Sequence, residues 1–121
     1  MKIFRTDVGV AKHIHQYESQ HAAITSLIEN SGEATINAIY LGMNGILGKH
    51  EAHQDQLFVV VSGRGWVQSG DDEPIAVRSG QAIFWQAGEL HTSGTHHGMV
   101  AIVIESENLE LSPKLEEWRY G

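Results

Sequence analysis

The chain has 121 residues, carries a formal net charge of −7 and contains no cysteine. This length suits one domain with a single core, and the lack of cysteine excludes disulfides, zinc–thiolate sites and thiol nucleophiles. Lysine and arginine together number only 8, so binding to a nucleic-acid backbone has little electrostatic support.

Thirteen glycines and only two prolines separate many short apolar segments, a pattern typical of an all-β domain. The polar segment from His13 to His21 is predicted as a loop. A short C-terminal helix is predicted because Ser112 can cap it, Pro113 suits its first position, and Leu111, Leu115 and Trp118 share one face. Alternation and turn residues predict eight strands, at Lys2–Thr6, Ala22–Glu29, Thr35–Leu41, Gln56–Ser62, Gly65–Gln68, Ile75–Arg78, Ala82–Trp85 and Met99–Glu105.

The run Leu57–Val61 is apolar on both strand faces. One face is expected to line the interior of a sandwich or barrel. The other face must then be covered by a second sheet or by a partner subunit.

A first group of polar side chains precedes this run, between Gly48 and Gly63. His50 and Gln56 have the same parity, so they share one strand face, with Ala52 between them. Regular alternation directs His53 outward as a surface histidine. A bulge after His50 would instead turn His53 inward, because bulges re-aim side chains.

A second group follows at Gly80, where five residues separate the glycine from Gln86-Ala-Gly88 and two more lead to His91. The two segments, about 48–63 and 80–95, resemble the two motifs of the cupin superfamily. In that comparison Gln56 takes the glutamate position, Ala52 replaces one histidine, Gln86 replaces proline and Thr95 replaces asparagine.

The resemblance implies a double-stranded β-helix, or jelly-roll barrel, formed by a single domain over residues 1–121, and a homodimer. It also implies that His50, Gln56 and His91 converge inside the barrel as a metal site, with His53 as a further candidate ligand. Two imidazoles and an amide suit a divalent ion such as zinc, nickel, manganese or iron, with open positions for water or substrate. The alternative is that His50 and His91 only form hydrogen bonds in a polar cavity.

Three aromatic residues, Trp66, Phe84 and Trp85, are expected near this cavity, as a wall for a planar or sugar-like ligand or as core. Glu89 is a candidate general acid or base at the cavity mouth, or an exposed turn carboxylate. The pairs His13/His15, followed by Glu18, and His96/His97 are predicted to be surface histidines.

We therefore expect a small cupin that binds a small polar molecule, with capacity for a divalent metal. The alternative is a metal-dependent enzyme, such as an oxygenase, isomerase or lyase acting on a small organic compound. Fold alone does not decide between them. The first residues do not form a signal peptide and no apolar run is long enough to cross a bilayer, so a cytoplasmic location without membrane partners is expected.

Overall fold

The computed structural model describes residues 1–30 and 32–119. Short 3-10 turns at Val8–Val10 and Gln16–Glu18 interrupt a succession of strands. These are β1 (Lys2–Arg5), β2 (Lys12–His13), β3 (Ala23–Ile24), β4 (Ile28–Asn30), β5 (Ala34–Leu41), β6 (Ile46–Glu51), β7 (Asp55–Ser69), β8 (Ile75–Arg78), β9 (Gln81–Trp85), β10 (Leu90–Gly94), β11 (Met99–Ser106), β12 (Glu110–Leu111) and β13 (Glu116–Glu117).

The long strand β7 belongs to both faces of the barrel. Its first half lies between β9 and β11 in one face. Beyond β9 this face continues with β1 and β13, and beyond β11 it continues with β5. Its second half pairs with β8 and β10, and β10 carries β6 at its far edge. All these pairs are antiparallel, so alternate side chains of each strand point into the space between the two faces.

The core follows this alternation on β7 and its neighbours. Phe58, Val60, Ile83 and Val103 point inward and are buried in the main apolar cluster. Leu57, which has the opposite parity, lies in a second cluster that includes Leu27, Ile28, Phe84 and Leu109. The segment containing β4 thus covers part of the outer face, as expected for a strand that is apolar on both sides.

Two separate strands, Gln56–Ser62 and Gly65–Gln68, were predicted in this region, but the structure has the single strand β7 (Asp55–Ser69). Gly63 has a φ of +79°, and a Cβ there would lie 2.2 Å from the carbonyl oxygen of Gly98. Only glycine fits this conformation and this close approach of β11. The strand is therefore continuous through Gly63, and its register with β11 shifts two residues earlier, at Val61.

Two further predictions at the strand level were wrong in detail. The predicted strand Ala22–Glu29 is divided into β3 and β4, and the predicted loop 13–21 begins inside β2, where His13 pairs with Ala23. The strands β6 and β10, which carry the two histidines of interest, were not among those predicted.

The predicted C-terminal helix is absent from the described residues. The Ser112 hydroxyl does accept a hydrogen bond from the Lys114 amide, and the Leu115 amide donates to the Ser112 carbonyl. This closes one turn only. The chain then pairs with β1 through Glu116 and Glu117, because a helix of one or two turns is weak alone, whereas an open strand edge offers backbone partners.

No helix in the part of the chain that the structure describes is long and apolar enough to cross a membrane.

Candidate functional site

A bulge in β6 brings two histidines side by side. His91 of β10 is paired with His50 of β6, while Ser93, two residues further, is paired with Leu47. Two steps along β10 therefore match three steps along β6, and the extra residue lies in the segment Gly48-Lys49. The bulge precedes His50 and directs both Leu47 and His50 toward the interior, although their parities differ.

His91 lies between His50 and Trp85. Its ring centroid is 4.3 Å from each, edge-on to His50 and stacked on the Trp85 indole at 18°. His91 is buried, with 2 % of its surface exposed, whereas His50 is exposed. Burial lowers the pKa of His91, and the neighbouring His50 adds to this, against the opposing effect of a hydrogen bond to Glu89. His91 is therefore held neutral, the form that has a free lone pair.

The two imidazoles are oriented in the same way by the backbone. Nδ1 of His50 is 2.6 Å from the carbonyl oxygen of Gly48, and Nδ1 of His91 is 3.3 Å from the carbonyl oxygen of Glu89. A carbonyl only accepts hydrogen bonds, so Nδ1 must carry the proton in each ring. In the neutral form of such a ring, the lone pair is then on Nε2. Metal-binding histidines commonly show this arrangement.

Gln56 and Glu105 lie opposite each other at the same cavity. Gln56 of β7 is buried and is paired with Glu105 of β11, which is half-buried. The cavity is about 50 Å³ and is lined by Ile39, Leu47, His50, Gln56, Phe58, Trp85, His91, Ser93, Val103 and Glu105. The structure therefore brings His50, Gln56 and His91 together, and adds a carboxylate.

Glu105 is the one ionisable residue lining the cavity that was not predicted from the sequence. The strand Met99–Glu105 was predicted, and Glu105 shares its parity with Val103 and Ala101, both buried inside. That parity was the available signal. The motif spacing drew attention away from it, because Glu105 lies beyond both motifs.

Two buried polar atoms of cavity-lining residues have no hydrogen-bond partner among the described residues. These are Nε1 of Trp85 and Oγ of Ser93. Leaving a buried donor unpaired costs about 1–3 kcal/mol. Both residues line the cavity, so water or a small ligand there is one source of the missing partners.

The other residues considered from the sequence lie outside the cavity. His53 is exposed and follows Ala52, whose amide and carbonyl pair with Glu89 and Gly88 of the facing turn. Ala52 thus joins the two motif segments through its backbone. The bulge that would have turned His53 inward is located before His50 instead.

Among the aromatic candidates, only Trp85 lines the cavity. Phe84 belongs to the outer apolar cluster. Trp66 packs over Gly94, where an added Cβ would lie 2.4 Å from the indole ring. Strand alternation explains both positions, because each residue has the opposite parity to its inward neighbour.

Glu89 is engaged outside the cavity. Its carboxylate accepts hydrogen bonds from the Met1 ammonium at 2.8 Å, the Ser69 hydroxyl at 2.6 Å and the Gln86 amide at 3.1 Å. Burial alone would raise the pKa of Glu89, but these donors outweigh burial and lower that pKa. These three hydrogen bonds therefore stabilise the charged form of the Glu89 carboxylate.

The remaining histidines do not extend the site. His13 and His15 are exposed, with ring centroids 6.4 Å apart, and His96 and His97 lie in an exposed turn. Within residues 1–30 and 32–119, no group of three or more His, Cys, Asp or Glu side chains is placed to hold a metal ion. A metal at the cavity would thus depend on the Gln56 carboxamide and on water in addition to the two imidazoles.

A larger surface cleft of about 580 Å³ contains none of the predicted site residues. Three arginines line it together with three acidic residues, and Arg5 is paired with Asp7 at 2.8 Å. The charges balance, so this cleft does not favour an ionic ligand of either sign.

No family model and no curated protein matches the chain. Solved structures do match. An RmlC-like cupin with a double-stranded β-helix fold from Methanocaldococcus jannaschii has a TM-score of 0.59 at 13% identity, over 79% of this chain and 87% of the other. A cupin superfamily protein from Desulfitobacterium hafniense has a TM-score of 0.58 at 14% identity, over 73% and 80%.

A chain from crystal structures of the DMSP lyases RdDddP and RnDddQII is also similar, with a TM-score of 0.55 at 23% identity. The match covers 60% of this chain but only 38% of the lyase chain. At these identities the likenesses concern the fold alone.

Proposed function

Because the chain adopts the double-stranded β-helix fold of the cupins, we propose that it is a small cupin that binds a divalent transition metal together with a very small polar ligand. The metal ligands are Nε2 of His50, Nε2 of His91 and the carboxamide oxygen of Gln56. Water or the small polar ligand occupies the remaining coordination positions.

The observation that carries this proposal is the matched orientation of the two imidazoles. Each Nδ1 is bound to a backbone carbonyl two residues earlier in the chain. Two rings fixed in the same tautomer leave two Nε2 lone pairs available at one cavity.

The donor set predicts the strength and type of metal binding. All three proposed ligands are neutral, and neutral nitrogen and oxygen donors suit zinc, nickel, manganese or iron. Glu105 lines the same cavity and supplies the negative charge that the ligands lack. Because Glu105 does not complete a cluster of three ionisable ligands, we expect affinity below that of sites with a directly bound carboxylate. A bound metal would act as a Lewis acid toward the oxygen of the ligand.

The cavity restricts the size of the ligand. Its volume of about 50 Å³ holds roughly one or two water molecules, far less than the ~300 Å³ or more typical of pockets for larger ligands. A sugar-sized molecule does not fit. The unpaired Nε1 of Trp85 and Oγ of Ser93 favour a ligand with a hydrogen-bond acceptor, such as water or a small oxyanion.

The test is metal analysis of protein produced without a histidine tag. The protein is dialysed against a divalent ion and then freed of unbound ion. We expect the wild type to retain about one equivalent of that ion, measured by inductively coupled plasma mass spectrometry. His50→Ala and His91→Ala should each lose it, since each removes one of two imidazoles. His53→Ala is the matched control, because it removes an exposed imidazole three residues from His50.

Equal metal content in His50→Ala, His91→Ala and the wild type would contradict the proposal. Loss of the metal in His53→Ala alone would place the site elsewhere. Circular dichroism and thermal denaturation of each variant distinguish loss of a ligand from loss of the fold.

A further inference from the structure

A second pair of histidine rings lies close together outside the cavity. The ring centroids of His13 and His15 are 6.4 Å apart, and both side chains are exposed. Within the part of the chain that the structure describes, neither imidazole takes part in a hydrogen bond or an ion pair. The lone pair of each neutral ring is therefore available to a ligand from solution.

A small hairpin holds the backbone beneath this pair. His13 of β2 is paired with Ala23 of β3, and the Ile14 amide donates a hydrogen bond to the Ala22 carbonyl oxygen at 2.8 Å. Side chains two positions apart on extended backbone share one face, which brings the ring of His15 beside that of His13. Among the described residues β2 and β3 form a sheet of their own, so the pair belongs to a surface element separate from the cavity.

The distance between the rings suits a metal ion lying between them. A histidine nitrogen binds a transition metal at about 2.1 Å, which puts the ring centre roughly 3.2 Å from the ion. Two rings on opposite sides of one ion then have centres about 6.4 Å apart, and two rings at tetrahedral positions have centres about 5 Å apart. The observed separation is 6.4 Å. Rotation of the two exposed side chains is enough to direct their nitrogens at a shared ion.

We propose that His13 and His15 form an exposed metal site that binds copper(II) or nickel(II). Both ions favour tetragonal coordination by imidazole nitrogen, and this geometry accepts two rings on opposite sides of the ion. Water fills the remaining positions. No third ionisable ligand completes the site within residues 1–30 and 32–119, so we expect weaker binding than at sites with three or four protein ligands. This inference does not depend on the metal proposal for the cavity.

The other exposed histidine pair shows why the spacing matters. His96 and His97 are adjacent in a turn, and their rings are not in contact with each other or with another described ring. The net charge of −7 attracts cations to both pairs. Charge therefore does not distinguish the two pairs, whereas ring geometry does, and His96 and His97 provide a matched control.

The test is chromatography of the full chain, without a histidine tag, on immobilised copper(II) at a fixed imidazole concentration. An ion held by a chelating resin reaches exposed side chains but does not enter a cavity of about 50 Å³. We expect the wild type to be retained. Retention of His13→Ala/His15→Ala should fall at least about tenfold, since changing even a supporting residue of a metal site has an effect of that size. His96→Ala/His97→Ala should elute with the wild type.

A second measurement uses the wild type alone and separates this site from the cavity. Copper(II) is paramagnetic and broadens the nuclear magnetic resonance signals of nearby amides. We expect the signals of residues 12–15 to broaden at lower copper concentrations than those of residues 96–98, whereas the signals of β6 and β10 report on the cavity.

Four outcomes would each overturn the proposal, whatever the signals of β6 and β10 show. They are an unretained wild type, unchanged retention of His13→Ala/His15→Ala, an equal loss of retention in His96→Ala/His97→Ala, and hairpin signals that copper does not broaden. Circular dichroism of both double variants checks that the fold is kept, as expected for substitutions of exposed side chains.

Discussion

Gln56→Glu places a carboxylate directly opposite Glu105 and is the sharpest probe of the cavity. The two positions are paired in register between β7 and β11, and both line the same space. Side chains in such pairs lie about 5 Å apart at Cβ. Two carboxylates at about 5 Å repel each other by roughly 3 kcal/mol at an effective dielectric constant of about 20.

Protonation and the partial exposure of Glu105 relieve part of this repulsion. We therefore expect the metal-free variant to lose about 1–3 kcal/mol of unfolding free energy. For a chain of this length, that corresponds to a fall in Tm of roughly 4–12 °C. A divalent ion between the two carboxylates reverses the effect, because a ligand at about 100 times its Kd adds roughly 2.7 kcal/mol.

The assay is thermal denaturation with a chelator and then with zinc or nickel. Gln20→Glu is the control, because it makes the same charge change on an exposed loop. If Gln56→Glu is as stable as Gln20→Glu in the chelator, the two side chains do not face each other. If added metal raises the Tm of both variants equally, position 56 is not a ligand position.

The remaining predictions concern the titration of His91 and the close backbone packing at Gly65. The pKa of folded His91 lies below its ordinary value of 6.5, so the unfolded chain takes up the proton first. The unfolding free energy of metal-free protein should then decrease as pH falls from about 6.5 toward the folded pKa. Urea denaturation at pH values on either side of about 6.5 measures this, and a His91→Gln variant with an undiminished pH dependence would contradict it. Gly65→Ala puts a Cβ 2.2 Å from the Gly94 carbonyl oxygen and should lower the unfolding free energy by about 2 kcal/mol or more. The control Gly42→Ala has nothing within 4 Å of its new Cβ and should change the unfolding free energy by less than about 0.5 kcal/mol. Equal denaturation midpoints for the two variants would show that the strands separate easily.

The sequence predicted the parts of the fold that depend on local alternation. Strands β5, β8, β9 and β11 were located because each is a short, mostly apolar segment bounded by turn residues. The spacing of the two motifs also predicted that His50 and His91 meet, and the structure pairs them across β6 and β10.

What was missed depends on contacts between distant segments. The bulge at Gly48-Lys49 is defined by the register of β6 against β10, which only the folded sheet determines. Glu105 reaches the cavity because β11 lies beside β7. The C-terminal residues carry local helix signals, but β1 offers them a free edge. In each case a non-local pairing overrides or completes a local preference.

The strands that carry the two proposed imidazole ligands differ in how many neighbouring strands they pair with. His91 belongs to a strand flanked on both sides, whereas His50 belongs to a strand bound along one side only. Such border strands separate from a sheet at a much smaller free-energy cost than global unfolding. Peeling of β6 would therefore release one of the two nitrogen donors while the rest of the barrel stays folded. This gives ions and small molecules a route into the cavity in addition to the side on which His50 is already exposed.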